Sequence, residues 1–232
     1  MMTDPKNQNV QALVEEGIQL RKEGQLDAAL KKIQEALSIN PHFLSALNQI
    51  GVTLLQRKEF DEAIATYKKA IELNPKNANL YNGLGDASLK RKNFAEAISA
   101  YERSLELNPN LPPNVRRKIG DAYQASGQIE RAIAAYEKAI ELNPKNAGFY
   151  IQLARSLRKQ ERNQQALDAY QKALDLKPDQ PTRIYVEFGD ILKETQLSTD
   201  QEISICKKAI ATYQKVIQTQ PQLFTAQYLR GL

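Results

Sequence analysis

The sequence predicts an all-α protein, a solenoid of antiparallel helix pairs with about six repeats and a partial helix after them. Three observations carry that expectation. The segment IELNPKNANLY at 71–81 returns as IELNPKNAGFY at 140–150. Pro41, Pro75, Pro109, Pro144 and Pro178 follow one another at spacings of 34, 34, 35 and 34 residues. Apolar residues between them recur at helical spacing: Phe60, Ile64, Tyr67 and Ile71, then Phe94, Ile98, Tyr101 and Leu105, then Ile129, Ile133, Tyr136 and Ile140. Each set makes one amphipathic stripe, and a single hairpin cannot bury such a stripe without stacking on its neighbours.

Residues 1–9 are polar and are expected to form a disordered tail. The repeats then run 10–43, 44–77, 78–112, 113–146, 147–181 and 182–221, and 222–232 is a partial capping helix or the start of a further repeat. Asn-Pro and Lys-Pro pairs end each second helix, because the residue before proline avoids the α region and proline lacks a donor. Gly24 and Gly127 fit the turn between paired helices, where a positive φ is needed. The loop Asn110-Leu111-Pro112-Pro113 holds one extra residue and places Pro113 near a first helical turn. In the sixth repeat Gly189 and Ala209 are 20 residues apart, where Gly17 and Ala29 are 12 apart, so eight residues are inserted. Thr199 and Glu202 have capping-box spacing, which predicts a helix over about 199–219 with Ile203, Cys206 and Ile210 on one stripe. Cys206 reads as a buried, inert thiol. Leu223, Phe224, Tyr228 and Leu232 would form an apolar face that folds back on the sixth repeat or meets a second copy, giving a monomer or a weak homodimer.

The period and the residues at fixed offsets resemble the tetratricopeptide repeat, in the tandem form of bacterial arrays. The first-helix glycine matches Gly17, Gly51, Gly85 and Gly120, with Ala154 in the fifth repeat. The small residue at the helix crossing matches Ala29, Ala63, Ala97, Ala132 and Ala166. The aromatic four residues later is Tyr67, Tyr101, Tyr136 and Tyr170, with Ile33 in the first repeat, and the second small position reads Ala36, Ala70, Ser104, Ala139 and Ala173. The resemblance implies a right-handed superhelix. Arg116 departs from it, standing where Tyr81 and Tyr150 put a large aromatic. It is expected to weaken packing there or to cover apolar surface with its stem.

Composition narrows the chemistry. The chain has 232 residues, 32 Lys and Arg against 27 Asp and Glu, one cysteine, one histidine (His42) and no tryptophan. One cysteine forms no internal disulfide, and Cys/His metal clusters need more ligands. No Gly-rich phosphate loop occurs, since Gly83-Leu84-Gly85 lies inside a predicted helix. Glu72, Glu106 and Glu141 fall at one repeat position and read as a solvated face. The tyrosines read as core, not as stacking platforms for bases. The expectation is a non-enzyme without cofactor or metal and without nucleic-acid partners. A polar start with no apolar core, and no apolar run of about 18 residues, predict a cytoplasmic protein with no direct membrane insertion.

What remains is a groove. The resemblance implies that the first helices line a concave surface at recurring positions, three of which are read here in each repeat from the second to the sixth. These read Asn48, Val52 and Leu55, then Asn82, Asp86 and Leu89, then Arg117, Asp121 and Gln124, then Ile151, Arg155 and Arg158, then Val186, Asp190 and Lys193. Residues 113–163 hold ten Lys and Arg against five Asp and Glu, so Arg155, Arg158 and Lys159 would favour acidic stretches of a ligand. The carboxylate clamp of chaperone-tail-binding relatives would need its lysine and asparagine at Val14 and Ile18, or at Asn48 and Val52, and neither register supplies them. The expected function is a non-catalytic scaffold that binds an extended peptide or a partner protein. The alternatives are the recruiting or regulatory part of a larger glycosyl-, sulfo- or methyltransferase, and an assembly factor for a multiprotein complex.

Overall fold

The computed structural model of the chain describes residues 5–178, 180–194 and 207. Among the described residues there are eleven helices and no strand: α1 (Pro5–Lys22), α2 (Leu26–Ile39), α3 (Leu44–Arg57), α4 (Phe60–Leu73), α5 (Ala78–Lys90), α6 (Phe94–Leu107), α7 (Pro113–Ala125), α8 (Ile129–Leu142), α9 (Ala147–Lys159), α10 (Asn163–Leu176) and α11 (Thr182–Glu194). Two compact units divide the chain, Met1–Ala122 and Tyr123–Leu232, the division falling inside α7. In the first unit α1 pairs with α2, α3 with α4 and α5 with α6, and each hairpin stacks on the next. In the second, α9 pairs with α10 and packs on α8, and α10 packs on α11. The helix expected over 199–219, with Ile203, Cys206 and Ile210, lies outside the described residues apart from Lys207. So does the terminal stretch with Leu223, Phe224, Tyr228 and Leu232.

The helix ends follow local chemistry. Asn77 and Asn146 cap α5 and α9, accepting from the N–H of Asn79 (3.1 Å) and of Gly148 (3.0 Å). Asn93 accepts from the Glu96 N–H at 3.4 Å and donates its own amide to the Glu96 carboxylate at 3.1 Å, a reciprocal cap on α6. Asn40, Asn74, Asn108 and Asn143 each precede a proline, and their φ values of −135 to −145° show the backbone leaving the helix there. Gly24 and Gly127 take φ of 81° and 83° in the turns, as the sequence predicts. Lys58, Lys92 and Glu161 occupy the same turn at 65°, 67° and 56° without being glycine.

The small residues sit where packing needs them. Ala29, Ala63, Ala97, Ala132 and Ala166 are fully buried. A Cβ added at Gly51 would lie 2.6 Å from the Tyr67 ring, and one added at Gly83 would lie 2.4 Å from it. Tyr67 is therefore clasped between α3 and α5, its ring edge against bare backbone on both sides. Ser104, the polar member of the second small position, donates its hydroxyl to the Ala78 carbonyl at 2.7 Å. That bond satisfies a buried group that would otherwise oppose folding.

Two expectations change. The tail expected to be disordered over 1–9 is helical from Pro5. Val10 and Val14, one turn apart, are fully buried in the first unit's core, which extends α1 backwards, and proline is at home in a first helical turn. Arg116 does not merely fill space. Its guanidinium donates to the Pro109 carbonyl at 2.9 Å and tethers the loop before α7, the task the Tyr150 hydroxyl performs on Pro144 at 3.2 Å.

Two stability predictions follow from this packing. Ala97→Leu places three further carbons at a fully buried crossing and is expected to destabilise the chain by about 1–3 kcal/mol, read as a lower urea midpoint. An unchanged midpoint would show that the α5–α6 crossing has room. Lys92→Gly relieves a left-handed backbone and is expected to stabilise by about 0.5–1 kcal/mol, since the freer unfolded chain offsets part of the gain. A lower melting temperature for that variant would contradict this account of the turn.

Candidate functional site

The first helices carry the predicted groove residues, and each unit has its own face. In the first unit α1 touches α3 and α3 touches α5, so these helices form one continuous surface. Asn48 and Val52 on α3, Asn82 and Asp86 on α5, and Arg117 and Asp121 on α7 are all half-buried.

The charged members of that face are already engaged. Asp86 accepts from the Tyr101 hydroxyl at 2.6 Å and from Lys118 Nζ at 2.6 Å. Tyr101 thus spans the α5–α6 hairpin, and Lys118 ties α7 to α5. Burial first, and then the neighbouring Asp86 carboxylate, push the Tyr101 hydroxyl far above its ordinary pKa, so it stays a donor. Arg117 pairs with Asp121 one turn on and donates Nε to Asn114 at 2.6 Å. The four charges of Asp86, Lys118, Arg117 and Asp121 cancel locally.

The second unit repeats the device with other residues. Arg155 on α9 grips Glu187 on α11 with two parallel bonds, Nε to Oε2 at 2.8 Å and Nη2 to Oε1 at 3.0 Å. Its third nitrogen donates to Gln152 at 3.1 Å. The Tyr170 hydroxyl reaches the same carboxylate at 2.7 Å, and Arg183 adds a contact at 3.0 Å. Burial works to raise the Glu187 pKa, but the bonds from Arg155 and Tyr170 and the positive charge around it outweigh burial and hold it below the ordinary value. The Arg155 pKa moves up, chiefly through its hydrogen bond to Glu187.

Arg155 lies on the predicted first-helix face, and its guanidinium is held in a bidentate pair with Glu187. A guanidinium in a bidentate pair has little to offer an acidic ligand. Arg158 is half-buried and Lys159 is exposed at the end of α9. Lys118, Glu187 and the tyrosine hydroxyls were missed as parts of the face. The signal was present in the spacing: Asp86 to Lys118 and Arg155 to Glu187 are both 32 residues, close to one repeat. Glu106 and Glu141 are exposed and pair three residues back, with Arg103 at 2.9 Å and Lys138 at 2.9 Å. His42 is exposed in its turn. Among the described residues no three His, Cys, Asp or Glu side chains come together as a metal site, and no helix is long and apolar enough to cross a membrane.

Comparison with known proteins identifies the repeat. Four family models, described as TPR repeat or tetratricopeptide repeat, match residues 20–67, 51–92, 76–145 and 117–181, and together they run without a gap from 20 to 181. No curated protein matches the chain. Among solved structures, the MamA protein is 25% identical with a TM-score of 0.67, covering 74% of this chain and 93% of that one. YrrB, described as a TPR protein with an unusual peptide-binding site, is 20% identical with a TM-score of 0.66, covering 79% and 98%. PilF of Pseudomonas aeruginosa is 18% identical with a TM-score of 0.75, covering 98% and 99%. The last two likenesses are likenesses of fold.

The pH dependence of the Glu187 cluster can be measured. A carboxylate whose folded pKa is depressed adds stability above its unfolded pKa and loses it as pH falls through the folded value. Glu187→Gln is expected to melt below the parent at pH 7. The gap should close as pH falls below the ordinary value of 4.5 and the parent carboxylate protonates. A gap that persists unchanged at pH 3 would mean that the charge of Glu187 contributes nothing.

Proposed function

The chain belongs to the tetratricopeptide repeat family, and on that premise we propose that it is a non-catalytic scaffold whose first-helix faces hold an extended peptide or a segment of a partner protein. The observation that carries this reading is the state of those faces. Asn48, Val52 and Asn82 form a half-buried row of neutral side chains, while the charges beside them are paired within the protein. A surface of this kind offers hydrogen bonds and small apolar contacts to a ligand without first breaking its own ion pairs.

The second unit's face keeps a more basic character. Lys159 stands exposed at the end of α9 beyond the Arg155–Glu187 pair, and an acidic stretch of a partner would meet it there. The attraction is electrostatic and exposed, so it speeds association and weakens with salt more than it adds affinity.

A fluorescent peptide panel tests the proposal. Val52→Glu should weaken peptides bound to the first unit, and Lys159→Glu should weaken acidic peptides bound to the second, each by about tenfold at low salt. If every peptide captured by the parent keeps its affinity in both variants, with melting temperatures unchanged, the faces are not the binding surface.

A further inference from the structure

We propose that Arg183, at the start of α11, takes the carboxylate of a single aspartate or glutamate in a bound partner, while Glu187 keeps Arg155 out of that contact. The proposal rests on the scaffold reading above and names the residue that an acidic ligand meets on the second unit's face.

Two guanidiniums converge on one carboxylate here. Glu187 Oε1 accepts from Arg155 Nη2 at 3.0 Å and lies 3.0 Å from Arg183 Nε. The two arginines therefore stand on either side of one oxygen, with one negative charge between two positive ones. Tyr170 and Gln152 complete the cluster, and both are neutral. On the first unit's face Asp86 and Asp121 balance Lys118 and Arg117, two against two. The cluster around Glu187 keeps one positive charge over.

The two arginines differ in what they have left to give. Arg155 uses all three of its nitrogens, two on Glu187 and one on Gln152, and its side chain is 27% exposed. Arg183 touches Glu187 through Nε alone, and its side chain is 72% exposed. Among the described residues its two terminal nitrogens have no partner. The contact through Nε tethers the guanidinium, so less side-chain freedom is lost when the terminal pair meets a ligand.

Placement reinforces the charge. Val186 and Asp190 lie three and seven residues after Arg183 on α11, so Arg183 belongs to the stripe that carries the predicted groove residues. Through Arg155 this stripe is joined to α9, which carries Arg155, Arg158 and Lys159 and no acidic residue. Arg183 also stands in the first turn of α11, where the helix dipole is positive and no acidic residue offsets it.

These features select the ligand. The planar fork of a guanidinium matches a carboxylate, and one surplus positive charge balances one carboxylate. A phosphate dianion would exceed that surplus and stand against Glu187. A basic side chain would meet two guanidiniums, and a neutral one would leave the surplus unbalanced.

The probes are acetyl-Ala-Ala-Glu-Ala-Ala-amide and its glutamine counterpart, titrated at low salt into the 15N-labelled full chain. The glutamate peptide should bind about fivefold more tightly than the glutamine peptide. It should move the Nε–H signal of Arg183 and leave that of Arg155 in place. Arg183→Gln should erase the preference. Glu187→Gln releases Arg155 and should strengthen glutamate binding by about a further fivefold. Equal binding of the two peptides overturns the proposal, as does a preference that survives Arg183→Gln. So does an Arg155 signal that moves as far as that of Arg183, a result read in the parent chain whether or not Glu187→Gln folds. Unchanged or weaker glutamate binding by a folded Glu187→Gln chain overturns it as well. Peptides of other sequence that still bind either face would then leave the scaffold reading standing, whereas a chain that binds no peptide removes both.

Discussion

The body of each repeat tyrosine lies in the core while its hydroxyl reaches the first-helix face, and much else depends on that double placement. Tyr67, Tyr101, Tyr136 and Tyr170 are almost fully buried. The rings of Tyr67 and Tyr101 lie against bare backbone, Tyr67 at Gly51 and Gly83 and Tyr101 at Gly85, where an added Cβ would stand 2.6 Å from the ring. Their hydroxyls need partners, and those partners are the polar residues of the face. Core packing and surface chemistry are thereby joined through one side chain per repeat.

Charge counting alone does not say which charges of the face are already paired. Ten basic residues against five acidic ones between 113 and 163 predict an open positive surface. Arg155 is instead spent on Glu187, and Lys118 on Asp86. These pairs are partly screened from water, and their geometry is good, so they act as braces between helices one repeat apart. Exposed charge remains at the end of α9 on Lys159, where salt screens it most.

The architecture was legible because its rules are local. Proline spacing located the ends of the second helices, since the residue before proline leaves the helix for steric reasons that need no tertiary context. The amphipathic stripe and the buried alanines located the core. Less was legible where a residue's role depends on a partner elsewhere. Lys58, Lys92 and Glu161 adopt the left-handed turn because the flanking helices are held by packing, although their side chains disfavour it. Arg116 looked like a packing fault until the Pro109 carbonyl came within its reach. The first turn of α1 was missed because residues 5–9 are all polar apart from Pro5 and carry no apolar residue that would signal a helix leading into the core.

Repeat proteins tolerate such substitutions because each unit meets only its neighbours, so a polar contact can be exchanged in one repeat without disturbing the rest. The tyrosine hydroxyl has been satisfied by a carboxylate in the same repeat at Asp86, by an amide at Gln124 and by a carboxylate one repeat later at Glu187. The buried ring is the constant part, and the hydroxyl's partner is the variable part. Variation at this one contact changes the polarity of the face above it while leaving the buried ring in place. An array built this way can differ in the polarity of its face at the ends of its core side chains, and at Tyr67 the corresponding partner positions, Val52, Leu55 and Leu84, are all aliphatic.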